Sequence, residues 1–259
     1  MKQLAIDLNS DVGEGFGPYT IGNDEEIFSF ITSANIACGF HAGDPSTIRK
    51  TLDLAAKNGV AVGAHPGYPD RLHFGRLNMP FAAEEVVDMI LYQIGALGLL
   101  AERAGLPLQH VKLHGALYHA AAEDRRLAGM FLGAIVRLVH PPIVVGPPDC
   151  VLQKEAEERG LDYAAEGFAD RVYGDEGKLM PRSSKQPSMI TDPVQAAEQA
   201  LQLVRERKVQ TISGKKMEMN VHTICIHGDT KGAGKIARAV FEKLENAKIA
   251  MRPLHNIIE

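Results

Sequence analysis

The sequence predicts an α/β fold: a single-domain barrel of seven strand–helix units, with an open doubly wound sheet as the competing arrangement. Three observations carry this. Short apolar runs alternate with longer amphipathic ones from end to end, which implies parallel strands joined by right-handed crossovers. Five of those runs, at 6–14, 35–44, 60–68, 111–119 and 223–230, end in ionisable clusters, as expected where strand ends converge on the mouth of a barrel. The length of 259 residues is also one at which a barrel remains a single domain.

The first strand is predicted at 4–8 and leads into Asp7, Asn9, Asp11 and Glu14. Alternation places Asp7, Asn9 and Asp11 on one side, with Asp11 in the loop beyond. A buried carboxylate without a partner is costly, so Asp7 reads either as a group that holds the loop or as part of a site. Asp11 reads as a metal ligand or general base. A helix follows near 24–32, then a second strand at 34–38 ending in CGFHAGDP. Asp44 is placed to cap the helix over 45–58, with Pro45 at its first position. Ile48, Leu52 and Ala55 fall at helical spacing and face the sheet, and AAKNG closes the helix on a glycine.

The third strand, 60–64, ends in GAHPG. His41 and His65 each follow a strand closely and are flanked by small residues that let other groups approach. With Asp11 they form a candidate set for a divalent metal that leaves a position open for water. The same residues also suit metal-free proton transfer, or a structural role for each imidazole. A helix over 83–104, closed at ERAG, leads to the fourth strand at 110–114. There Lys112 points inward and requires a carboxylate such as Asp7 or an anionic substrate, and His114 follows on the same face. The remaining units are predicted as helix 123–139, strand 142–146, helix 149–159, strand 162–166, helix 193–207, strand 222–227 and helix 232–246.

Glu166 is a second carboxylate on a buried strand, followed by Asp170 and Arg171. The stretch 167–191 is rich in glycine, proline and charge, a composition and length typical of a lid or binding loop. Arg71, Arg76, Arg171 and Arg182 supply guanidinium forks suited to an acidic substrate. At the last strand His227 faces the pocket and Asp229 reads as a cap for the final helix.

Net charge is −4 with no basic tract, which argues against nucleic acid as a partner. No apolar run reaches membrane-spanning length, and the start lacks an apolar leader. Cys38, Cys150 and Cys225 are too few and too far apart for a disulfide framework, so the chain reads as cytoplasmic. There is no GxSxG elbow, and GDTKGAGK lacks the Walker A spacing. Attack by water fits better than covalent catalysis.

DLNSDVGEGFG, SANIACGFHAGDP, GVAVGAHPGYPD, FGR, LYQIGAL, QHVKLHGALYH, FADR, PRS and ICIHGDT together resemble the LamB/YcsF family, the A subunits of bacterial ATP-dependent 5-oxoprolinase, from residue 6 to about 235. Leu113 stands where the family has proline, and Ser10 replaces a common alanine. Neither change removes an ionisable group. The tail after residue 247 matches less well and is assigned no role. The resemblance implies a TIM-barrel-like (β/α)7 fold akin to carbohydrate deacetylases. It also implies opening of the lactam of 5-oxo-L-proline to L-glutamate, with ATP as cosubstrate and with partner subunits B and C. Under that reading Asp11 or Glu166 is the base, His114 or His65 the acid, and Lys112 with an arginine the electrostatic clamp. Asp7, Asn9, His41, Arg71, Arg76, Arg171, Arg182 and His227 are then expected around the substrate. Two rivals stand beside it: a metal-dependent amide or sugar deacetylase working alone, and a non-catalytic scaffold subunit of an oxoprolinase complex.

Overall fold

The computed structural model describes residues 4–230 and 232–258. Six strands, β1 (Ala5–Val12), β2 (Ser33–Ala37), β3 (Ala61–His65), β4 (Leu108–Lys112), β5 (Ile143–Gly146) and β6 (Tyr163–Phe168), pair in chain order. After a short antiparallel hairpin of β7 (Lys208–Gln210) and β8 (Lys216–Glu218), β9 (Thr223–His227) pairs with both β6 and β1 and closes a seven-stranded parallel barrel. The helices are α1 (Asp24–Ile27), α2 (Pro45–Asn58), α3 (Ala83–Arg103), α4 (Gly115–Glu123), α5 (Arg125–Ile135), α6 (Val151–Glu158), α7 (Pro193–Glu206) and α8 (Ala233–Asn246). The closed arrangement, and not the open sheet, is therefore the one adopted. Among the described residues no helix is long and apolar enough to cross a membrane.

Local chemistry sets several boundaries as expected. Asp44 accepts hydrogen bonds from the Ser46 and Thr47 amides at the start of α2, and Asp192 accepts one from Gln195 at the start of α7. Gly59 (φ 66°) and Gly105 (φ 74°) hold the left-handed turns that end α2 and follow α3. Outward strand residues such as Leu8, Ile36, Val62, Val111 and Ile224 pack with Leu52, Ile90, Leu97, Phe131 and Val240 of the helices. Each such buried side chain contributes about 1.5–3 kcal/mol relative to exposure.

Four elements differ from the sequence reading. The first strand continues to Val12, so Asp11 lies on β1 and not in a loop beyond it; residues 9–12 pair with β2 while 7–11 pair with β9. The helix expected over 24–32 is only Asp24–Ile27. A separate helix, α4, occupies 115–123, and Asp124 then caps α5 by accepting from the Arg126 and Leu127 amides. The tail, given no role from its sequence, forms β10 (Ala250–Met251), which adds to the beginning of β1, and a 3-10 turn at Leu254–Asn256.

That turn carries Leu254 into an apolar cluster with Ile143, Val145 and Ala164. Above this floor, the inward positions of β1, β2, β4, β6 and β9 are mostly polar. Asp7, Asn9, Asp11, Ser33, Asn35, His110, Lys112, Glu166 and Thr223 are all buried there. The barrel thus has an apolar plug at one end and an ionisable interior that continues toward the other.

Candidate active site

Lys112 is the hub of the interior. Its ammonium lies 3.0 Å from Asp11 Oδ1, 2.8 Å from Glu166 Oε1 and 3.3 Å from Asn9 Oδ1, and 3.1 Å from the Cys225 sulfur. Burial works against the charged amine, but the Asp11 and Glu166 carboxylates outweigh it and hold Lys112 protonated well above the usual lysine range. Burial likewise disfavours the Asp11 carboxylate. His65 and Lys112 more than offset this and keep it well below the usual range. The partner proposed for Lys112 from sequence, Asp7, lies deeper. It accepts hydrogen bonds from Thr32, Ser33 and Thr223, and burial raises its pKa to about 6.

The two inward carboxylates next to Lys112 differ in what remains free. Glu166 accepts from Asn9 and Lys112 on Oε1 and from the Tyr118 hydroxyl on Oε2. Asp11 accepts from Lys112 and Asn35 on Oδ1, while its Oδ2 stands 3.5 Å from His65 Nε2. Asn35 in turn accepts from His110 Nε2 at 2.7 Å; burial, with Lys112 nearby, lowers that imidazole to about 3 and keeps it neutral.

Toward the strand ends, His41, His65 and His114 meet. The His41 and His114 rings stack with centroids 3.7 Å apart, and His65 stands edge-on to both. His65 Nδ1 is 2.8 Å from the Lys112 carbonyl oxygen, and His114 Nε2 is 2.8 Å from that of Phe74. Carbonyls only accept, so both of those nitrogens carry hydrogen. The remaining nitrogens, His65 Nε2 and His114 Nδ1, face each other at 2.9 Å. Glu14 Oε1 lies 3.7 Å from His41 Nε2 and 3.8 Å from His114 Nδ1. Of the metal set read from sequence, His41 and His65 belong to this cluster. Asp11 sits beside it, engaged by Lys112, while Glu14 and His114 complete it.

The arginines divide. Arg71 donates to the carbonyls of Gly39 and Gly43 and covers the Phe16 ring. Arg171 donates to Ser188 and Met180 carbonyls and pins the long loop after β6. Both guanidiniums are thus engaged by backbone carbonyls. Arg76 and Arg182 converge on Asp229 at 2.7 and 3.1 Å, on the rim, and both remain partly exposed. Asp229 is therefore a guanidinium partner and not the cap assigned to it from sequence. His227 is fixed through Nδ1 by Asp170 at 2.9 Å, stacks on Phe168, and has a ring nitrogen within 4.8 Å of Asp11 and Cys225.

Sequence reading assigned no role to Asn35, His110, Thr223 or Asp170, and left Glu14 without one. His110 was signalled by its spacing of two residues from Lys112 and four from His114. The others carried no local sign of their role, because each is defined by a partner on another strand.

The chain resembles known proteins in sequence as well as in shape. The LamB/YcsF family model matches residues 6–259, a longer match than the motifs alone suggested. The A subunit of 5-oxoprolinase from Thermus thermophilus is 47% identical over 251 residues, covering 96% of this chain and 99% of the relative. Its counterpart from Pyrococcus furiosus is 44% identical over 256 residues, covering 99% and 100%. The crystal structure of a lactam utilization protein from Thermus thermophilus superposes with a TM-score of 0.90 at 44% identity, covering 96% of this chain and 99% of that one.

Proposed function

This chain belongs to the LamB/YcsF family, and from that premise we propose that it is the A subunit of a 5-oxoprolinase, opening the lactam of 5-oxo-L-proline to L-glutamate. The observation that carries the reading is the ionised Asp11 held against Lys112 with one oxygen left unengaged by either Lys112 or Asn35. Its free oxygen can orient a water against an amide carbon and accept the proton as the C–O bond forms and the water becomes acidic. Glu166 is the poorer base, since both of its oxygens are already accepting.

A lactam is a resonance-stabilised amide, and ATP supplies the driving force by phosphorylating its oxygen within the complex. Water then adds to the ring carbon while Asp11 takes its proton. The C–N bond breaks as the carbonyl re-forms, and the amine nitrogen takes both the proton held by Asp11 and the hydroxyl proton of the tetrahedral intermediate. A second water releases phosphate from the acyl phosphate. Lys112 keeps Asp11 ionised and offers positive charge where negative charge develops. His65 and His114, the acids expected from sequence, have their N–H groups committed to carbonyl oxygens, so Asp11 carries the proton both ways. Arg76 and Arg182 receive the substrate carboxylate at the rim, displacing Asp229 from one or both forks. Subunits B and C supply the remainder of the ATP-handling machinery.

The test is glutamate formation from 5-oxo-L-proline and ATP by this chain alone, by the partner subunits alone, and by the mixture. Activity confined to the mixture is expected. Full activity of the partners without this chain would overturn the proposal in favour of a scaffold, and ATP-independent amide hydrolysis by this chain alone would favour the deacetylase reading.

A further inference from the structure

Four buried side chains from four different loops and strand ends, Glu14, His41, His65 and His114, bring one donor atom each to within 4.8 Å of one another. We propose that this cluster binds a divalent transition metal of the zinc type. The inference stands independently of the substrate assigned above.

Proton bookkeeping makes the first argument. With hydrogens fixed on His65 Nδ1 and His114 Nε2 by carbonyl acceptors, the two remaining ring nitrogens face each other across 2.9 Å, where two lone pairs cannot meet unaided. Something positive has to lie between them. A single shared proton would satisfy that pair alone. It would leave both ring nitrogens of His41 without any hydrogen-bond partner, although His41 is only 1% exposed. A buried polar atom without a partner calls for an explanation, and a cation reached by all four groups answers the facing pair and gives one His41 nitrogen a partner.

The surroundings are those of ligating histidines. Such imidazoles almost always donate their other N–H to a carboxylate, a backbone carbonyl or water, which fixes tautomer and ring orientation. His65 and His114 both do so, to Lys112 and Phe74. The Phe74 carbonyl is aimed from a backbone at φ 57°, in the left-handed region disfavoured for an aromatic residue, a strain that needs compensation at a site. Two glycines make room for the rings. A Cβ on Gly67 would lie 2.7 Å from His41 Nδ1, and one on Gly75 would lie 2.9 Å from both His41 Cβ and His114 Cδ2. Three imidazole nitrogens and one carboxylate oxygen select a borderline metal over magnesium or calcium, which prefer all-oxygen shells. Bound there, the ion would add Lewis acidity beside Asp11, whose Oδ2 is 3.5 Å from His65 Nε2.

The test needs no turnover. Tag-free protein, stripped with a chelator, is titrated with Zn²⁺ by calorimetry and with Co²⁺ by visible absorption. One equivalent should bind, with Co²⁺ d–d bands. His41→Ala and the near-isosteric Glu14→Gln should bind more weakly by more than the roughly 100-fold that loss of an outer-shell partner costs. His119→Ala, on the exposed surface of α4, should bind like the parent. Unfolding midpoints of the stripped proteins separate loss of a ligand from loss of the fold; should His41→Ala fail to fold, Glu14→Gln carries the test. Absence of saturable binding in the folded parent, or unaltered binding in a folded His41→Ala or Glu14→Gln protein, would overturn the proposal.

Discussion

The ammonium of Lys112 lies 3.0 Å from the Asp11 carboxylate across 101 residues of chain, and both groups are buried. Neither charge is tenable there alone. Glu166, 2.8 Å from the same ammonium, makes the arrangement one cation between two carboxylates. Lys112→Met therefore leaves two buried carboxylates without their cation, and should cost about 3–5 kcal/mol, the penalty for breaking a buried pair. Urea unfolding measures it. Adding Asp11→Asn and Glu166→Gln should recover most of the loss, and a Lys112→Met protein as stable as its parent would refute the electrostatic account.

Asp11→Asn keeps the shape of the side chain and an acceptor for Asn35 and Lys112, but removes the base. In the assembled complex it should lower kcat by about 10²–10⁴-fold, the usual worth of a positioned general base; the unfolding midpoint should also fall, because a buried ion-paired carboxylate is neutralised, while Glu166 keeps Lys112 paired and the protein folded. Turnover equal to the parent's would assign the base elsewhere.

Asp7 sets a pH dependence of stability. Burial raises it to about 6, against three hydroxyl donors that favour the ionised form. Its folded pKa thus exceeds the unfolded one, so its contribution to stability is fully present below about pH 4 and is lost as pH rises through about 6. In Asp7→Asn that dependence should vanish. The difference in unfolding free energy between parent and variant should change between about pH 4 and 6 and be flat outside it. A constant difference across that range would show that Asp7 is not the titrating group.

Leu254 plugs the barrel floor against Ile143, Val145 and Ala164 and is 1% exposed. Leu254→Ala should destabilise by about 2–5 kcal/mol, as for other buried leucines. Val139→Ala, at a side chain 89% exposed, should stay within about 0.5 kcal/mol. Equal effects of the two would remove the tail from the folded core.

Much of this protein was determined by patterns that consecutive residues carry. Alternation of apolar strands with amphipathic helices placed all seven barrel strands, and Asp-Pro pairs and terminal glycines marked the starts of α2 and α7 and the close of α2 and α3. The ionisable strand ends pointed to Asp11, His41, His65, Lys112, His114 and Glu166 as a group, because side chains two apart on a strand share a face. Which group meets which was decided by tertiary structure. Lys112 is paired with Asp11 and Glu166 and not with Asp7 because parallel pairing fixes the height of each residue in the barrel, and that register links β1 to β4 and β6 across more than a hundred residues. The same geometry decided that Glu14 joins the histidines and that Arg71 and Arg171 bind backbone carbonyls while Arg76 and Arg182 share Asp229. It also gave the tail its place, since Leu254 has a function only once a barrel floor exists for it to fill. Local periodicity is a property of neighbours along the chain; the partner of a buried charge is a property of closure.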